Sequence, residues 1–167
     1  DIKILDEGKD IEKINEEITM RVQSLENALT SKASSSEVSK INQNAGIAPV
    51  SVSAETFLVI SEGIKYSELS DGSFDITVGP LANLWGIGTE AAKVPTEEEL
   101  KNALSLVGYE KVVLDKNAKT VYLTEKGMAL DVGAIAKGYV TDEINSILAK
   151  YKVKSAIINL GGNIYAR

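Results

Sequence analysis

Apolar residues recur at Ile11, Ile14, Ile18, Val22, Leu25 and Leu29, three or four apart, with Glu, Lys, Asn and Gln between them. That spacing puts one apolar stripe on a helix of about five turns. Ahead of it, Ile-Lys-Ile-Leu at residues 2–5 reads as the end of a strand. The small, polar run at 30–36 breaks the helix. A short helix is predicted over 37–43 with Ser36 as its cap, and Pro49 closes the next loop. Ser53 caps a further helix carrying Phe57, Leu58, Ile60, Ile64 and Leu69.

Residues 70–79 are turn-rich, and Pro80 starts a short helical turn through Leu81, Leu84 and Trp85. A loop follows over 86–95. Thr96 and Glu99 form a capping box, and Gly108 is expected to end that helix after Val107. Two β runs, 111–114 and 120–123, flank a five-residue hairpin loop at 115–119. Further elements are a strand at 128–131, a helix at 134–150, a strand at 153–160, a tight turn at Gly161-Gly162 and a last strand from Asn163. A hairpin arm that stops at Arg167 without polar punctuation predicts truncation at the C-terminus. There is no internal repeat and no dividing linker. The pattern predicts one α+β domain over residues 1–167 with a mixed sheet and packed helices.

Composition narrows the chemistry. With 167 residues, 44% apolar and 25% charged, the chain can bury a core. No apolar run approaches the roughly 20 residues of a membrane span, and no signal pattern opens the chain. It begins at Asp1 without a methionine, so processing or trimming is expected. A net charge of −6 argues against a nucleic-acid surface. It also means that a phosphate ligand must be met locally, by N–H groups, a lysine or a cation. Cysteine and histidine are both absent. Disulfides, zinc–thiolate sites, thiol nucleophiles and a Ser–His triad within this chain are therefore excluded. A metal would have to be a hard cation on oxygen ligands. The lack of cysteine fits an extracytoplasmic protein.

The most informative stretch is 127–138, Gly-Met-Ala-Leu-Asp-Val-Gly-Ala-Ile-Ala-Lys-Gly. An apolar run ends on Asp131, Gly133 turns the chain, and a helix opens with Lys137 in its first turn. Such an order aims backbone N–H groups at an anion, with a carboxylate beside it for a hydroxyl, a ring nitrogen or a metal. The plainer alternative makes Asp131 a helix cap and Lys137 a solvated residue. Lysine early in a helix opposes the dipole by about 0.3–1 kcal/mol, a placement that a nearby anion would explain. Phe74 and Asp75 lie in a loop flanked by Gly72 and Gly79, which would let backbone approach a ligand. Their alternative is a buried Phe anchoring a turn whose Asp bonds its own backbone. Trp85 reads as core, Gly161-Gly162 as a hairpin turn, and Glu37 as a helix-start charge.

Four segments in order resemble the ApbE family, the FAD:protein FMN transferases. They are Ser36-Glu37-Val38-Ser39-Lys40-Ile41-Asn42; Gly72-Ser73-Phe74-Asp75-Ile76-Thr77-Val78-Gly79-Pro80-Leu81 with Leu84-Trp85-Gly86; Leu130-Asp131-Val132-Gly133-Ala134-Ile135-Ala136-Lys137-Gly138-Tyr139; and Ile158-Asn159-Leu160-Gly161-Gly162-Asn163. The resemblance implies an ApbE-like, T-fold-like α+β fold with a largely antiparallel sheet. It implies binding of FAD and a magnesium ion, and transfer of FMN to a Thr or Ser of a flavin-acceptor protein with release of AMP. It places family flavin contacts at Ser73, Phe74, Asp75, Asp131 and Lys137, and a metal-ligating carbonyl at Ala134. It implies a location outside the cytoplasm, as a membrane-anchored lipoprotein whose lipid anchor lies outside this chain. Nucleic acid is not an expected partner. Two departures stand out. Lys32 occupies the position where the family carries an aromatic residue against the flavin ring. The family's acidic and threonine metal ligands and its histidine fall beyond Arg167, so this chain is expected to be an incomplete, inactive part of the enzyme. The alternatives are an FAD pyrophosphatase, releasing FMN and AMP, and a non-catalytic flavin-binding domain.

Overall fold

In the computed structural model, residues 1–86 and 89–167 are described. Along the chain run β1 (Ile2–Ile4), α1 (Ile11–Leu29), α2 (Glu37–Gln43), β2 (Val50–Ser51), α3 (Ala54–Leu69), α4 (Gly79–Trp85), α5 (Glu97–Leu104), a 3-10 turn (Tyr109–Lys111), β3 (Val112–Asp115), β4 (Thr120–Leu123), α6 (Gly133–Lys150), β5 (Ala156–Leu160) and β6 (Asn163–Ala166). These fall into two compact units, one of Asp1–Asn27 with Gly133–Arg167, the other Ala28–Val132. No described helix is long and apolar enough to cross a membrane.

The first unit is a three-stranded antiparallel sheet, β1-β5-β6, covered by helices. The stripe read from α1 supplies Ile14 and Ile18. They pack with Ile144, Ile147 and Leu148 of α6 and with Val153, Ala156 and Ile158. Burying each such side chain contributes about 1.5–3 kcal/mol. The β5–β6 hairpin pairs Leu160 with Asn163. Its two linking residues have φ of 61° and 94°, which is why both are glycine. β5 begins at Ala156, not at Val153 as the apolar run predicts. Lys152 turns the chain at φ 53°, and the Asp6 carboxylate then accepts the N–H groups of Lys154 (2.6 Å) and Ser155 (3.1 Å).

The second unit holds the antiparallel sheet β2-β4-β3. Its three predicted caps are all present: Ser36 accepts from Ser39 N, Ser53 from Thr56 N, and Thr96 forms its box with Glu99. Lys93, at 2.5 Å, and then the Thr96 N–H hold the Glu99 carboxyl down to about 2, so the first turn of α5 keeps its stabilising negative charge. Glu37 does more than charge a helix start, because its carboxylate accepts both the N–H and the hydroxyl of Ser53.

Three expectations need correction in this unit. α5 ends at Leu104, because Leu106 and Val107 donate to carbonyls three residues back and the chain tightens before Gly108. Gly108 instead opens the 3-10 turn at φ 155°. The β3–β4 loop has four residues, since Asp115 itself pairs with Thr120. Asp115 then holds the turn by accepting from the N–H groups of Asn117 and Ala118. Finally, 128–131 is no regular strand. Among the described residues it makes one parallel bridge, Ala129 to Val78.

Candidate functional site

The larger unit brings the loop at 70–79 against the run at 128–131. After α3 the chain reverses through Asp71 (φ 49°) and Gly72 (φ 74°). Ser70 Oγ accepts the N–H of Phe74 at 3.0 Å and closes the turn. Ser73 is left exposed at its tip, with Phe74 and Asp75 half-buried behind it.

Asp75 works hard inside the fold. Its Oδ1 accepts from Thr77 N (2.8 Å) and Thr77 Oγ1 (2.7 Å), and its Oδ2 accepts from Tyr109 N (3.0 Å). The Thr77 hydroxyl, fully buried, also accepts the N–H of Gly108 at 2.8 Å. One carboxylate and one hydroxyl thus lock the loop to the 3-10 turn. The self-bonding alternative raised for Asp75 describes this geometry. A carboxylate has about four acceptor positions, so a ligand contact through Oδ2 is still compatible with it.

Met128, Ala129 and Leu130 are buried, and Asp131 is half-buried. On one flank, Asp131 N donates to Ile76 O (2.8 Å) and Gly79 N donates to Ala129 O (3.1 Å). Gly79 is required here by contact: a Cβ would sit 2.5 Å from the Ala129 carbonyl oxygen. On the other flank no strand is present among the described residues. Instead the Asn42 side chain, at the end of α2, donates from Nδ2 to Leu130 O (3.1 Å) and accepts from Leu130 N at Oδ1 (2.7 Å). A side-chain amide replaces a ladder partner, which is why 128–131 is extended yet not a strand. Asn42 and Thr77 make these contacts, and sequence reading left both without a role. The available signal was a polar residue directly beside the buried Ile41 in one case and directly beside the buried Ile76 in the other.

Ser73, Phe74, Asp75 and Asp131 are therefore neighbours within one unit. Asp131 is bonded through its backbone to the residue that follows Asp75. Ala134 and Lys137 belong to the other unit, where both are exposed on α6. α6 starts at Gly133, so Lys137 is its fifth residue, one step past the first turn, where the dipole has largely faded. Lys32 is exposed in the bend after α1. Among the described residues no group of three or more Asp, Glu, His or Cys could hold a metal. The Ala134 carbonyl alone, already an acceptor position within a helix, makes no cation cage. The residues present do not fit magnesium by themselves.

Comparison with known proteins gives a consistent picture. The model of the ApbE family matches residues 1–167. The FAD:protein FMN transferase of Klebsiella pneumoniae is 39% identical over 140 residues, covering 84% of this chain and 44% of that protein. The FAD:protein FMN transferase of Haemophilus influenzae is 32% identical over 174 residues, covering 99% and 50%. The solved flavin transferase ApbE from Vibrio cholerae superposes with a TM-score of 0.90 at 31% identity, over 99% of this chain and 54% of that one. The ApbE protein from Thermotoga maritima gives 0.84, also at 31%, over 99% and 52%. The chain spans about half the length of the relatives it matches.

Proposed function

We propose a flavin-transfer function for this chain, which belongs to the ApbE family. The whole protein takes FAD as substrate and moves its FMN half onto a threonine or serine of an acceptor protein. The observation that carries this reading is that relatives at 39%, 35% and 32% identity, matched over 84–99% of this chain, are all FAD:protein FMN transferases.

In this reading the acceptor hydroxyl oxygen forms a bond to the FMN phosphorus. The P–O bond to AMP breaks, and AMP leaves with the electron pair. The residues of this chain bind and orient. The exposed tip at Ser73 and the half-buried Phe74 face the flavin portion, and Asp131 takes polar ribityl or ring groups. Lys137 carries a positive charge to a phosphate oxygen. Positioning of this kind supplies much of the acceleration in phosphoryl transfer. The acceptor's proton needs a base. With no histidine among the 167 residues, only a carboxylate could take it within this chain. A divalent cation, magnesium in this reading, would neutralise the diphosphate. Its support is the charge argument, a ligand diphosphate on a chain of net charge −6. An extracytoplasmic, lipid-anchored location belongs to the same proposal and rests on the family resemblance and the absence of cysteine.

Lys32, exposed where the family places a ring-packing aromatic, favours a second reading in which flavin is bound but never consumed. One experiment separates the two. The full-length protein is incubated with FAD and magnesium, with and without an acceptor domain, and the acceptor's mass and the released AMP are measured. Transfer predicts an FMN adduct on the acceptor and AMP in equal amount, both abolished by EDTA. AMP without an adduct points instead to hydrolysis of FAD by water, and bound FAD with neither product supports the non-catalytic reading and overturns transfer.

A further inference from the structure

We infer that Asn42 is a positioning residue for Asp131, setting the direction of its carboxylate without touching the ligand; this rests on the flavin-binding reading above. The peptide unit joining Leu130 to Asp131 is gripped at both ends. Its carbonyl accepts from Asn42 Nδ2 at 3.1 Å, and its N–H donates to Ile76 O at 2.8 Å. The preceding N–H, that of Leu130, is held by Asn42 Oδ1 at 2.7 Å. Fixing this plane fixes the starting point of Asp131 and so the space its side chain can reach. The orientation of the Asn42 amide follows from its partners, since an N–H needs the oxygen and a carbonyl needs the nitrogen.

Among the described residues, Asn42 is the side chain that bonds both backbone groups of Leu130. Leu130 is fully buried, so water cannot replace the amide on its backbone groups. The flank that Asn42 occupies is one where a sheet would place another strand. α2 holds the side chain there through the buried Val38 and Ile41 and through the turn beyond it, where Gly46 N donates to Leu123 O at 2.8 Å. Removing the amide frees the 130–131 plane on one side only, because the Ile76 bond remains. The fold can then persist while Asp131 shifts.

The test uses the full-length protein, with FAD titrated into wild type, Asn42→Ala, Asp131→Asn and the double variant. Asn42→Ala should weaken FAD binding on the order of tenfold to a hundredfold, the range for loss of a group that orients a site residue. In the Asp131→Asn background the same change should add little, because the residue it positions is already disabled. Equal losses in both backgrounds would overturn the assignment. So would unchanged affinity in Asn42→Ala. If Asn42→Ala does not fold, Asn42→Asp serves: it keeps the acceptor for Leu130 N but sets an oxygen against the Leu130 carbonyl, and the same non-additivity is expected. Amide hydrogen exchange reads the clamp without FAD. Leu130, whose N–H loses its acceptor, should exchange faster in the variant while Thr77 and Gly108 stay protected, and unaltered exchange at Leu130 would contradict the proposal. Wild type that fails to bind FAD removes the flavin reading, whereas the exchange result stands or falls on the clamp alone.

Discussion

Asp75→Ala should destabilise the full-length protein by about 3 kcal/mol, read as a lowered urea midpoint, even though the proposed function also makes Asp75 a flavin contact. The carboxylate accepts three hydrogen bonds, two from Thr77 and one from Tyr109 N. Alanine leaves those donors without their acceptor, and the buried Thr77 hydroxyl that also serves Gly108 loses its anchor. Each orphaned donor costs about 1–3 kcal/mol, with the exposed side of the loop recovering part through water. Asp75→Asn should cost roughly half as much, since one oxygen survives and only the Tyr109 N–H is confronted with a second donor. Equal stability of wild type and the alanine variant would show that the loop is held by something other than this carboxylate.

Gly79→Ala is expected to cost about 1–3 kcal/mol and to weaken FAD binding at the same time. The added methyl would lie 2.5 Å from the Ala129 oxygen and 2.8 Å from its carbonyl carbon. Both are backbone atoms, so no rotamer change relieves the clash. The 128–131 run must move away from the 75–79 loop, which stretches the Gly79–Ala129 and Asp131–Ile76 bonds together. A substitution that carries no charge and contacts no ligand should therefore act on Asp131 through the backbone. Calorimetric titration with FAD, alongside thermal melting, checks both effects. A variant that melts lower yet binds FAD with unchanged affinity would break the proposed link between this contact and the site.

Local chemistry made much of the fold legible. Ser36, Ser53 and the Thr96–Glu99 box cap the helices that their spacing announced, because a cap is decided by residues three apart. The α1 stripe likewise marked Ile14 and Ile18 as core. What was not legible was set by partners far along the chain. The run at 128–131 has the composition of a strand, but its second flank is filled by Asn42, 88 residues away from Leu130 in sequence. Gly108 reads as a helix stop until Thr77 is seen to claim its N–H. The site followed the same rule. Motif order pointed to Ser73–Asp75 and Asp131, and those segments are adjacent in the larger unit. The loop-locking role of Asp75 and the clamp at Asn42 needed three-dimensional partners to be visible.

In the proposed reading, FAD is held where the 70–75 loop meets Asp131. Amide hydrogen exchange of the full-length protein, with and without FAD and magnesium, tests it most directly. Exchange is expected to slow in peptides spanning 70–79 and 128–131. Slowed exchange confined to other segments, with those two unchanged, would contradict it.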